Sequence, residues 1–308
     1  MPSSRRNFLQ TLAALPLINA TTVAAQAQKT TWPISCNTYN WSTFYGRQGK
    51  NWENDLDAFC TEFRQTGITA IEPSLTTVEG TQKLMNAFKK HGIAVPSAYV
   101  NTLLHEPDKA TESIQSVLQL ADEAIKYGTK IFVTNPTPLR WGGKEVKNDK
   151  QLIEQAKNLE KLGAGLRQKG ITLAYHTHDM EMLAGAREFH HVMQNTSPKN
   201  VAFCMDTHWM YRGSENSEVA VFDTLKMYGS RIVELHIRQS KGGIWTETFS
   251  GEGDIDYRRY AQQLLAMKIR PLIVIEQSVE AKTPNTMNGV EAHKVNLAAV
   301  KDVFKGLI

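Results

Sequence analysis

The 308-residue sequence predicts a single α/β domain folded as a (β/α)8 TIM barrel. Short apolar runs alternate with longer amphipathic segments eight times, which predicts parallel strands joined by right-handed helical crossovers. A glycine follows five of the amphipathic segments shortly before the next run, and glycine in the left-handed conformation ends a helix. The composition does not change across the alternating region, so one closed barrel is favoured over two domains. The five glycines are Gly67, Gly92, Gly128, Gly170 and Gly229.

An open, doubly wound sheet is the alternative architecture. A sheet of that type that bound a nucleotide would normally carry a glycine-rich phosphate turn after its first strand. Residues 36–41, which follow or end the first apolar run, contain no glycine. The closed barrel is therefore the first choice. Its strands are predicted within residues 34–39, 68–75, 93–100, 130–134, 171–176, 201–206, 232–237 and 272–276.

The first residues have the features of an export signal. Arg5 and Arg6 precede a moderately apolar stretch at residues 11–25, and a small-x-small cleavage site follows at the end of that stretch. This order is typical of a twin-arginine signal peptide over residues 1–27, which leaves residues 28–308 for the barrel. We therefore expect a periplasmic or otherwise exported protein. The alternative is a disordered or helical tail. The apolar stretch is too short for a transmembrane helix, so no membrane association of the mature form is expected.

Charge and cysteine usage exclude some classes of function. Removal of residues 1–27 would take away two arginines and no acidic residue, which lowers the net charge from +4 to +2. A nearly neutral chain without a long basic run argues against nucleic-acid binding. Cys36, Cys60 and Cys204 lie singly in apolar segments, at spacings that match no zinc knuckle. We expect three buried, unpaired thiols.

The fifth apolar run leads directly into residues 174–181, which read Ala-Tyr-His-Thr-His-Asp-Met-Glu. Side chains alternate along a strand, so His176 and His178 are predicted to point to one face. Packing gives no reason for two polar rings at the end of a buried strand, whereas a metal ion or a polar substrate does. Functional side chains of such barrels lie at the carboxyl ends of the strands, which is where this pair is expected.

Four ionisable residues occupy equivalent positions at the ends of the last four predicted strands: His176, Asp206, His236 and Glu276. Neighbouring strands lie about 5 Å apart, so side chains at one height can converge on one ion. Two imidazoles and two carboxylates suit Mn²⁺, Zn²⁺, Co²⁺ or Fe²⁺ better than Ca²⁺, and Mg²⁺ stays among the candidates. The sequence predicts one bound divalent metal ion. The alternative is that each residue only anchors a loop by hydrogen bonds.

Five segments resemble a known family: residues 175–181, 205–209, 235–239, 251–256 and 274–276. The chain resembles the xylose isomerase-like TIM barrel family, which includes sugar isomerases and epimerases, inosose dehydratase and the endonuclease IV group. The resemblance is greatest to the subgroup whose fifth strand ends Tyr-His-Asn-His and whose seventh-strand loop carries Gly-Glu-Gly. It covers about the whole chain after the predicted signal peptide.

The resemblance implies that Asp206, His236 and Glu276 are metal ligands. The sequence departs from the family pattern at His176, which stands where epimerases have a glutamate that is both ligand and acid–base group. A symmetrical shuttle between two glutamates is therefore not expected. Whether His176 or His178 is the nearer ligand stays open at this point.

These residues predict a divalent-metal-dependent isomerase or epimerase that acts on a non-phosphorylated sugar or keto-sugar. Such an ion stabilises the enediolate that forms when the α-proton leaves. Glu276, His178 and Glu181 are the candidate catalytic bases. Each has a simpler alternative role: Glu276 as a ligand first, His178 as the hydrogen-bond partner of a ligand, and Glu181 as an anchor of the loop after the fifth strand.

The predicted substrate contacts lie at or just beyond the carboxyl ends of predicted strands. Tryptophan rings suit the C–H face of a sugar, although packing of long loops is the alternative role. Trp141 and Trp245 also follow predicted strands. Arg238, with Gln239, replaces the Lys-Asp pair usual after the strand-seven histidine, and a single arginine is little support for a phosphate site. The predicted substrate-binding residues are Trp41, Glu72, His208, Trp209 and Arg238.

The sequence leaves three other functions as alternatives. The first is a lyase that cleaves 3-keto-glycosides by the same α-proton abstraction followed by elimination. The second is an endonuclease IV-type repair enzyme, which would need further histidine and aspartate ligands that the third and seventh predicted strands do not supply. The third is a sugar-binding protein without turnover. The sequence alone leaves open the sugar, the metal and whether the protein forms a homo-oligomer.

Overall fold

The computed structural model describes residues 32–308. The predicted export signal, residues 1–27, lies outside the described residues. Each of the eight predicted strand regions contains a strand, and the second contains two. In chain order the strands are β1 (Ser35–Asn37), β2 (Ala70–Glu72), β3 (Ser74–Leu75), β4 (Ser97–Val100), β5 (Ile131–Thr134), β6 (Thr172–Tyr175), β7 (Val201–Asp206), β8 (Ile232–Ile237), β9 (Ser240–Lys241), β10 (Ile244–Trp245) and β11 (Leu272–Ile275).

The barrel strands are parallel and follow the order β2-β1-β11-β8-β7-β6-β5-β4-β3. Ser35 of β1 pairs with Ala70 on one side and with Val274 on the other, so the first and last strands of the barrel are neighbours. Strands β9 and β10 form a separate antiparallel pair. This order confirms the predicted (β/α)8 barrel and rules out the doubly wound sheet.

The barrel closes where Pro73 interrupts one strand. Residues before it form β2 beside β1, and residues after it form β3 beside β4. Proline has no backbone N–H and cannot donate to a ladder. The carbonyl of Pro73 still accepts a hydrogen bond from the Tyr99 N–H at 2.9 Å. This bond connects the junction between β2 and β3 to β4.

Helices follow the barrel strands and cover the outside of the barrel. Several begin at side-chain caps, for example at Asp55, whose carboxylate accepts the Ala58 N–H at 2.9 Å, and at Asn148 and Asn288, which form capping boxes. The helices are α1 (Thr38–Arg47), α2 (Leu56–Gln65), α3 (Val78–Lys90), α4 (Pro107–Ala124), α5 (Asp149–Gln168), α6 (Leu183–Asn195), α7 (Thr207–Gly213), α8 (Glu218–Tyr228), α9 (Tyr257–Ala266) and α10 (Gly289–Val303).

Four of the five predicted helix-ending glycines adopt the left-handed conformation. Gly67, Gly92, Gly128 and Gly170 have φ values of 79°, 65°, 90° and 78°. The prediction is wrong for Gly229, whose φ of −54° is helical. Gly229 still caps the carboxyl end of α8, and a β-carbon there would lie 2.8 Å from the Met267 Cε atom, so a larger residue would displace that side chain.

The barrel interior changes from apolar to polar along the strands. Ala174 and Val274 lie two residues before His176 and Glu276 and therefore face the same way. The apolar layer fills the barrel below the site and leaves the polar side chains at the carboxyl ends. Its members are Ile131, Val133, Ala174, Cys204, Leu272 and Val274.

Two sequence predictions outside the site can also be compared with the structure. Cys36, Cys60 and Cys204 are buried and unpaired, as predicted. Among residues 32–308, none of the helices has the length and apolar character needed to cross a membrane.

Candidate metal centre and substrate cavity

A cavity of about 490 Å³ opens at the carboxyl ends of the barrel strands. Residues at or just after the carboxyl ends of β1, β5, β6, β7 and β11 contribute to its wall. This is the end at which barrels of this kind hold their functional groups. The lining residues are Asn37, Tyr39, Ser74, Tyr99, Trp141, Gly142, His176, His178, Asp179, Met180, Trp209 and Glu276.

Four side chains meet at the floor of this cavity. One nitrogen or oxygen atom from each of His176, Asp206, His236 and Glu276 lies within 4.8 Å of the others. We call these four residues the ligand cluster. His176 and Glu276 directly follow their strands and continue the ladder, since their N–H groups donate to Thr134 and Ile237 carbonyls at 2.8 and 3.0 Å. The residues that the sequence predicted as ligands are thus brought together.

Atoms of the ligand cluster are buried but lack hydrogen-bond partners among residues 32–308. They are both ring nitrogens of His176, Oδ2 of Asp206 and Nδ1 of His236. A buried polar atom without a partner costs about 1–3 kcal/mol, so native proteins rarely leave several together. The donor set of two imidazoles and two carboxylates fits a divalent transition-metal ion. The residues present therefore fit the predicted metal.

Asp206 and His236 are each held so that one atom remains for a ligand role. Oδ1 of Asp206 accepts the N–H groups of His208 and Trp209, both at 2.8 Å, at the start of α7. The Nδ1 atom of His236 lies 2.6 Å from Oε2 of Glu276, without hydrogen-bond geometry. The Nδ1 atom of His236 and the Oε2 atom of Glu276 therefore both remain available to a metal ion.

The opposite edge of the His236 ring faces two buried carboxylates. Its Nε2 atom lies 3.3 Å from Glu72 Oε2 and 3.1 Å from Glu234 Oε1. Burial, together with the charge of Glu72, raises the pKa of Glu234 to about 8. Asn37 donates a further hydrogen bond to Glu72 at 2.5 Å. Carboxylates behind a histidine ligand typically orient its ring and increase its basicity.

The position of Glu72 corrects one prediction. Glu72 was expected to contact substrate, but its side chain is completely buried and does not line the cavity. Its carboxylate points at His236 instead, because β2 ends beneath the ring. Glu72 therefore contacts the ligand cluster through the Nε2 edge of the His236 ring and does not contact the cavity.

His178 lies in the cavity wall, outside the ligand cluster. Its ring stands between Trp141 and Trp209, with ring centroids 5.4 Å away in both cases. Burial, and then the neighbouring His176, lower the pKa of His178 to about 3. Nδ1 of His178 has no partner among the described residues. The two histidines that the sequence left as alternative ligands are thus distinguished: both line the cavity, but His176 belongs to the ligand cluster and His178 lies outside it.

Glu181 has a structural position rather than a catalytic one. Its Oε2 atom accepts the backbone N–H of His178 at 2.7 Å, and Asn135 donates to its other oxygen at 3.5 Å. Burial raises the pKa of this carboxyl. The side chain does not line the cavity. The prediction of a catalytic base at Glu181 is therefore corrected to the alternative role, in which it holds the loop after β6.

Trp41 is not at the mouth of the cavity, contrary to the prediction. Its side chain is 0% exposed and packs between α1, α2 and α10. The ring stacks on His293 at a centroid distance of 4.8 Å and contacts Phe59 and Phe63 at 5.3 and 5.7 Å. The prediction failed because the chain turns into α1 directly after β1, which directs Trp41 into the helical layer.

His208 and Arg238 also lie outside the cavity, although both were predicted to bind substrate. Nε2 of His208 is 2.8 Å from the Ser240 hydroxyl. The Arg238 guanidinium lies 3.3 Å from the centre of the Trp245 ring and donates to Glu280 at 2.9 Å. Both side chains pack the loops after β7 and β8. Of the five predicted substrate contacts, Trp209 is the one that lines the cavity.

Several cavity residues were not predicted as site residues from the sequence. Asn37 ends β1, Tyr99 lies in β4, and Ser74 and Asp179 stand at the rim. Neutral side chains at strand ends give little signal by themselves, because loops use the same residue types for turns and caps. The position of Asn37 at a strand end could have identified it.

Comparison with known proteins agrees with this architecture. A sequence profile of the xylose isomerase-like TIM barrel family matches residues 60–297. An inosose dehydratase from Clostridium perfringens is 24% identical over 234 residues, which cover 67% of this chain and 76% of that protein.

Solved structures show the same fold. L-ribulose 3-epimerase superposes with a TM-score of 0.67 at 16% identity, over 90% of this chain and 95% of that chain. A xylose isomerase-like TIM barrel protein from Mycobacterium smegmatis, in complex with magnesium, superposes with a TM-score of 0.66 at 13% identity, over 91% and 99%. The profile match covers well over half of the sequence, and the fold agrees with it. The chain therefore belongs to the xylose isomerase-like TIM barrel family.

Proposed function

We propose that this protein is a divalent-metal-dependent isomerase or epimerase of a non-phosphorylated sugar or keto-sugar. The observation that carries the proposal is the ligand cluster at the cavity floor, with its buried, unpartnered nitrogen and oxygen atoms. A metal ion would satisfy these atoms and face the cavity at the same time. His176, Asp206, His236 and Glu276 would hold it. When bound, it would act as a Lewis acid toward the carbonyl and adjacent hydroxyl oxygens of the sugar.

Glu276 is the residue best placed to move the proton. It is the carboxylate of the ligand cluster that lines the cavity, since Asp206 is fully buried beneath. A base must lie within hydrogen-bond reach of the carbon whose proton it removes. We therefore assign α-proton abstraction to Glu276. His178 lines the same cavity and would supply a ring nitrogen to a substrate hydroxyl.

The cavity lining supports a neutral substrate. None of the described lining residues is a lysine or an arginine. Phosphate groups are usually recognised by such side chains or by the amino ends of helices. Arg238, the arginine nearest the ligands in sequence, is occupied by Glu280 and Trp245. An uncharged sugar therefore fits better than a sugar phosphate.

A lyase is the second candidate, and one observation favours it. Histidine at position 176 leaves Glu276 as the carboxylate of the ligand cluster that faces the cavity. Epimerisation needs a proton delivered to the opposite face of the carbon, whereas elimination needs only one proton removed before a leaving group departs. The inosose dehydratase relatives are proteins named for a dehydration. Cleavage of a keto-glycoside would start from the same enediolate.

One experiment separates these reactions. The metal-loaded protein is incubated in D₂O with free ketoses and with a 3-keto-glycoside, and the products are followed by NMR. Deuterium at the α-carbon with the glycosidic bond intact supports the isomerase or epimerase. Release of the aglycone supports the lyase. Absence of both, with metal and sugar still bound, would leave a sugar-binding protein and contradict the proposal.

Export through a twin-arginine signal is a separate proposal, supported by Arg5-Arg6 and the apolar stretch that follows. Replacement of both arginines by lysine in the full chain should move the protein from the periplasmic to the cytoplasmic fraction. Equal periplasmic amounts of the two forms would contradict it.

A further inference from the structure

We infer that the mouth of the cavity is a subsite for a second sugar ring, so that the substrate is a disaccharide-type glycoside rather than a free monosaccharide. The inference rests on the proposed function, because the first ring is the one that reaches the ligand cluster. It concerns the outer half of the same cavity, where Tyr39, Trp141 and Trp209 stand.

Aromatic side chains surround the mouth at a different level from the ligands. Tyr39 is 55% exposed and Trp141 is 53% exposed, whereas the ligand cluster is buried. Tyr39 follows β1, Trp141 follows β5 and Trp209 lies at the start of α7. The rings therefore come from different walls. Large apolar surfaces left exposed around a cavity commonly mark a binding site.

Trp141 lies on a turn that is held by a backbone hydrogen bond and an ion pair. Arg140 accepts the Gly143 N–H through its carbonyl at 3.1 Å, and its guanidinium forms an ion pair with Glu145 at 2.8 Å. Gly142 has a φ of 68°, which allows the chain to reverse. The turn places the indole ring 5.4 Å from the His178 ring between centroids and nearly perpendicular to it.

Both ends of this loop are fixed to the barrel. The Thr137 N–H donates to the Thr102 carbonyl at 2.8 Å on the β5 side. On the α5 side, buried Lys147 forms an ion pair with Glu188 at 2.7 Å. A preorganised aromatic ring loses little entropy on binding, which makes it an effective platform for a ligand.

The size and chemistry of the cavity favour a second pyranose ring as the occupant. A volume of about 490 Å³ is in the range of pockets that bind drug-sized ligands, which are larger than one hexose. The aromatic faces suit the C–H side of a pyranose ring. Ser74 and Asp179 stand beside them at the exposed rim and supply a hydroxyl and a carboxylate to sugar hydroxyl groups. A second pyranose ring would stack on the aromatic faces and form hydrogen bonds with the polar rim. A flat aromatic aglycone would only stack on the aromatic faces.

Equilibrium binding tests the inference without turnover. D-glucose, maltose, cellobiose and 4-nitrophenyl β-glucoside are titrated against the full-length protein and followed by calorimetry. We expect at least one disaccharide to bind about tenfold more tightly than glucose. Trp141→Ala should remove that advantage and change glucose binding less than about twofold, and Trp141→Phe should restore most of it.

Leu139→Ala is the matched control, because Leu139 is an exposed apolar residue of the same loop that does not line the cavity. It should leave every affinity unchanged. Equal affinity of the wild type for glucose and both disaccharides would overturn the inference, as would equal weakening of both classes by Trp141→Ala. Tighter binding of the nitrophenyl glycoside than of any disaccharide would do the same. A protein that binds disaccharides in this way but shows no α-proton exchange would refute only the proposed reaction.

Discussion

Two buried clusters in this protein contain histidine, and they differ in whether the protein supplies hydrogen-bond partners for the histidine ring nitrogens. In the ligand cluster, both ring nitrogens of His176 lack partners among residues 32–308. The second cluster, which we call the aromatic cluster, consists of Trp41, Phe44, Phe59, Phe63 and His293. There the Nδ1 atom of His293 lies 2.6 Å from the Gly289 carbonyl, and Nε2 lies 3.5 Å from Asn40.

The difference shows what a buried histidine can be used for. In the aromatic cluster the protein supplies partners for both ring nitrogens of His293, so this ring can pack against Trp41 as part of the core. In the ligand cluster the partners are missing at one common point, and unsatisfied buried polar groups are costly. We infer that the aromatic cluster contributes stability and that the ligand cluster contributes binding. The predictions below separate these two roles.

Removal of the carboxylate at Glu276 should have the largest effect on activity. Glu276→Gln keeps the size of the side chain and one oxygen but loses the base, and general-base catalysis typically contributes 10²- to 10⁴-fold. We expect α-proton exchange by the metal-saturated enzyme to fall by about 10³-fold, measured by NMR in D₂O. Glu112→Gln, at an exposed position of α4, should keep wild-type exchange. Exchange within tenfold of wild type in Glu276→Gln would contradict the assignment.

Trp41 and Trp141 should differ in their contribution to stability. Trp41→Ala leaves a cavity in the aromatic cluster and should lower the free energy of unfolding by about 3–5 kcal/mol. Trp141→Ala, at a half-exposed position, should change it by less than about 0.5 kcal/mol. Urea denaturation followed by circular dichroism measures both. Similar losses in the two variants would show that the two tryptophans do not have the separate roles described above.

Glu72→Gln should weaken metal binding while leaving the four proposed ligands in place. The substitution removes the negative charge behind the His236 ring, and loss of such partners typically costs 10- to 100-fold in metal affinity. Calorimetric titration with Mn²⁺ would measure the change against Glu112→Gln. An unchanged dissociation constant would mean that Glu72 does not act through His236.

Stability should depend on pH through His293. Burial lowers the pKa of His293 to about 4, below its value of about 6.5 in an unfolded chain. Between these two values the unfolded state binds more protons, so the free energy of unfolding falls as pH decreases. From pH 7 to pH 5, His293 should account for a loss of about 2 kcal/mol.

His293→Gln isolates this contribution. The variant should lose about 2 kcal/mol less than wild type between pH 7 and pH 5, in urea denaturation at both values. Parallel losses in the two proteins would show that His293 titrates normally in the folded state.

Much of the fold follows from the sequence because the relevant signals are local. The apolar runs are short, and glycine marks the ends of four helices in the left-handed conformation. The left-handed conformation predicted for Gly229 is wrong because the chain continues there with helical dihedral angles into a short 3₁₀ turn at Gly229–Arg231. The interruption of one strand at Pro73 was also not predicted.

The ligand cluster was predictable since parallel strands bring their carboxyl ends to one level, so four strand-end residues must lie close together. The substrate contacts were less predictable. Trp41, His208 and Arg238 also lie near strand ends, but the direction of each side chain depends on the helix or loop that follows. The alternation that places His178 beside His176 predicts a shared face and does not determine which ring joins the ligand cluster.

Metal content tests the central claim most directly. Wild-type protein, purified without chelators and incubated in turn with Mn²⁺, Zn²⁺, Co²⁺, Fe²⁺ and Mg²⁺, is compared with His176→Ala and His178→Ala by elemental analysis. We predict one divalent ion per chain in the wild type and in His178→Ala, and its loss in His176→Ala. Absence of bound metal in the wild type with every ion, or full retention in His176→Ala, would contradict the account.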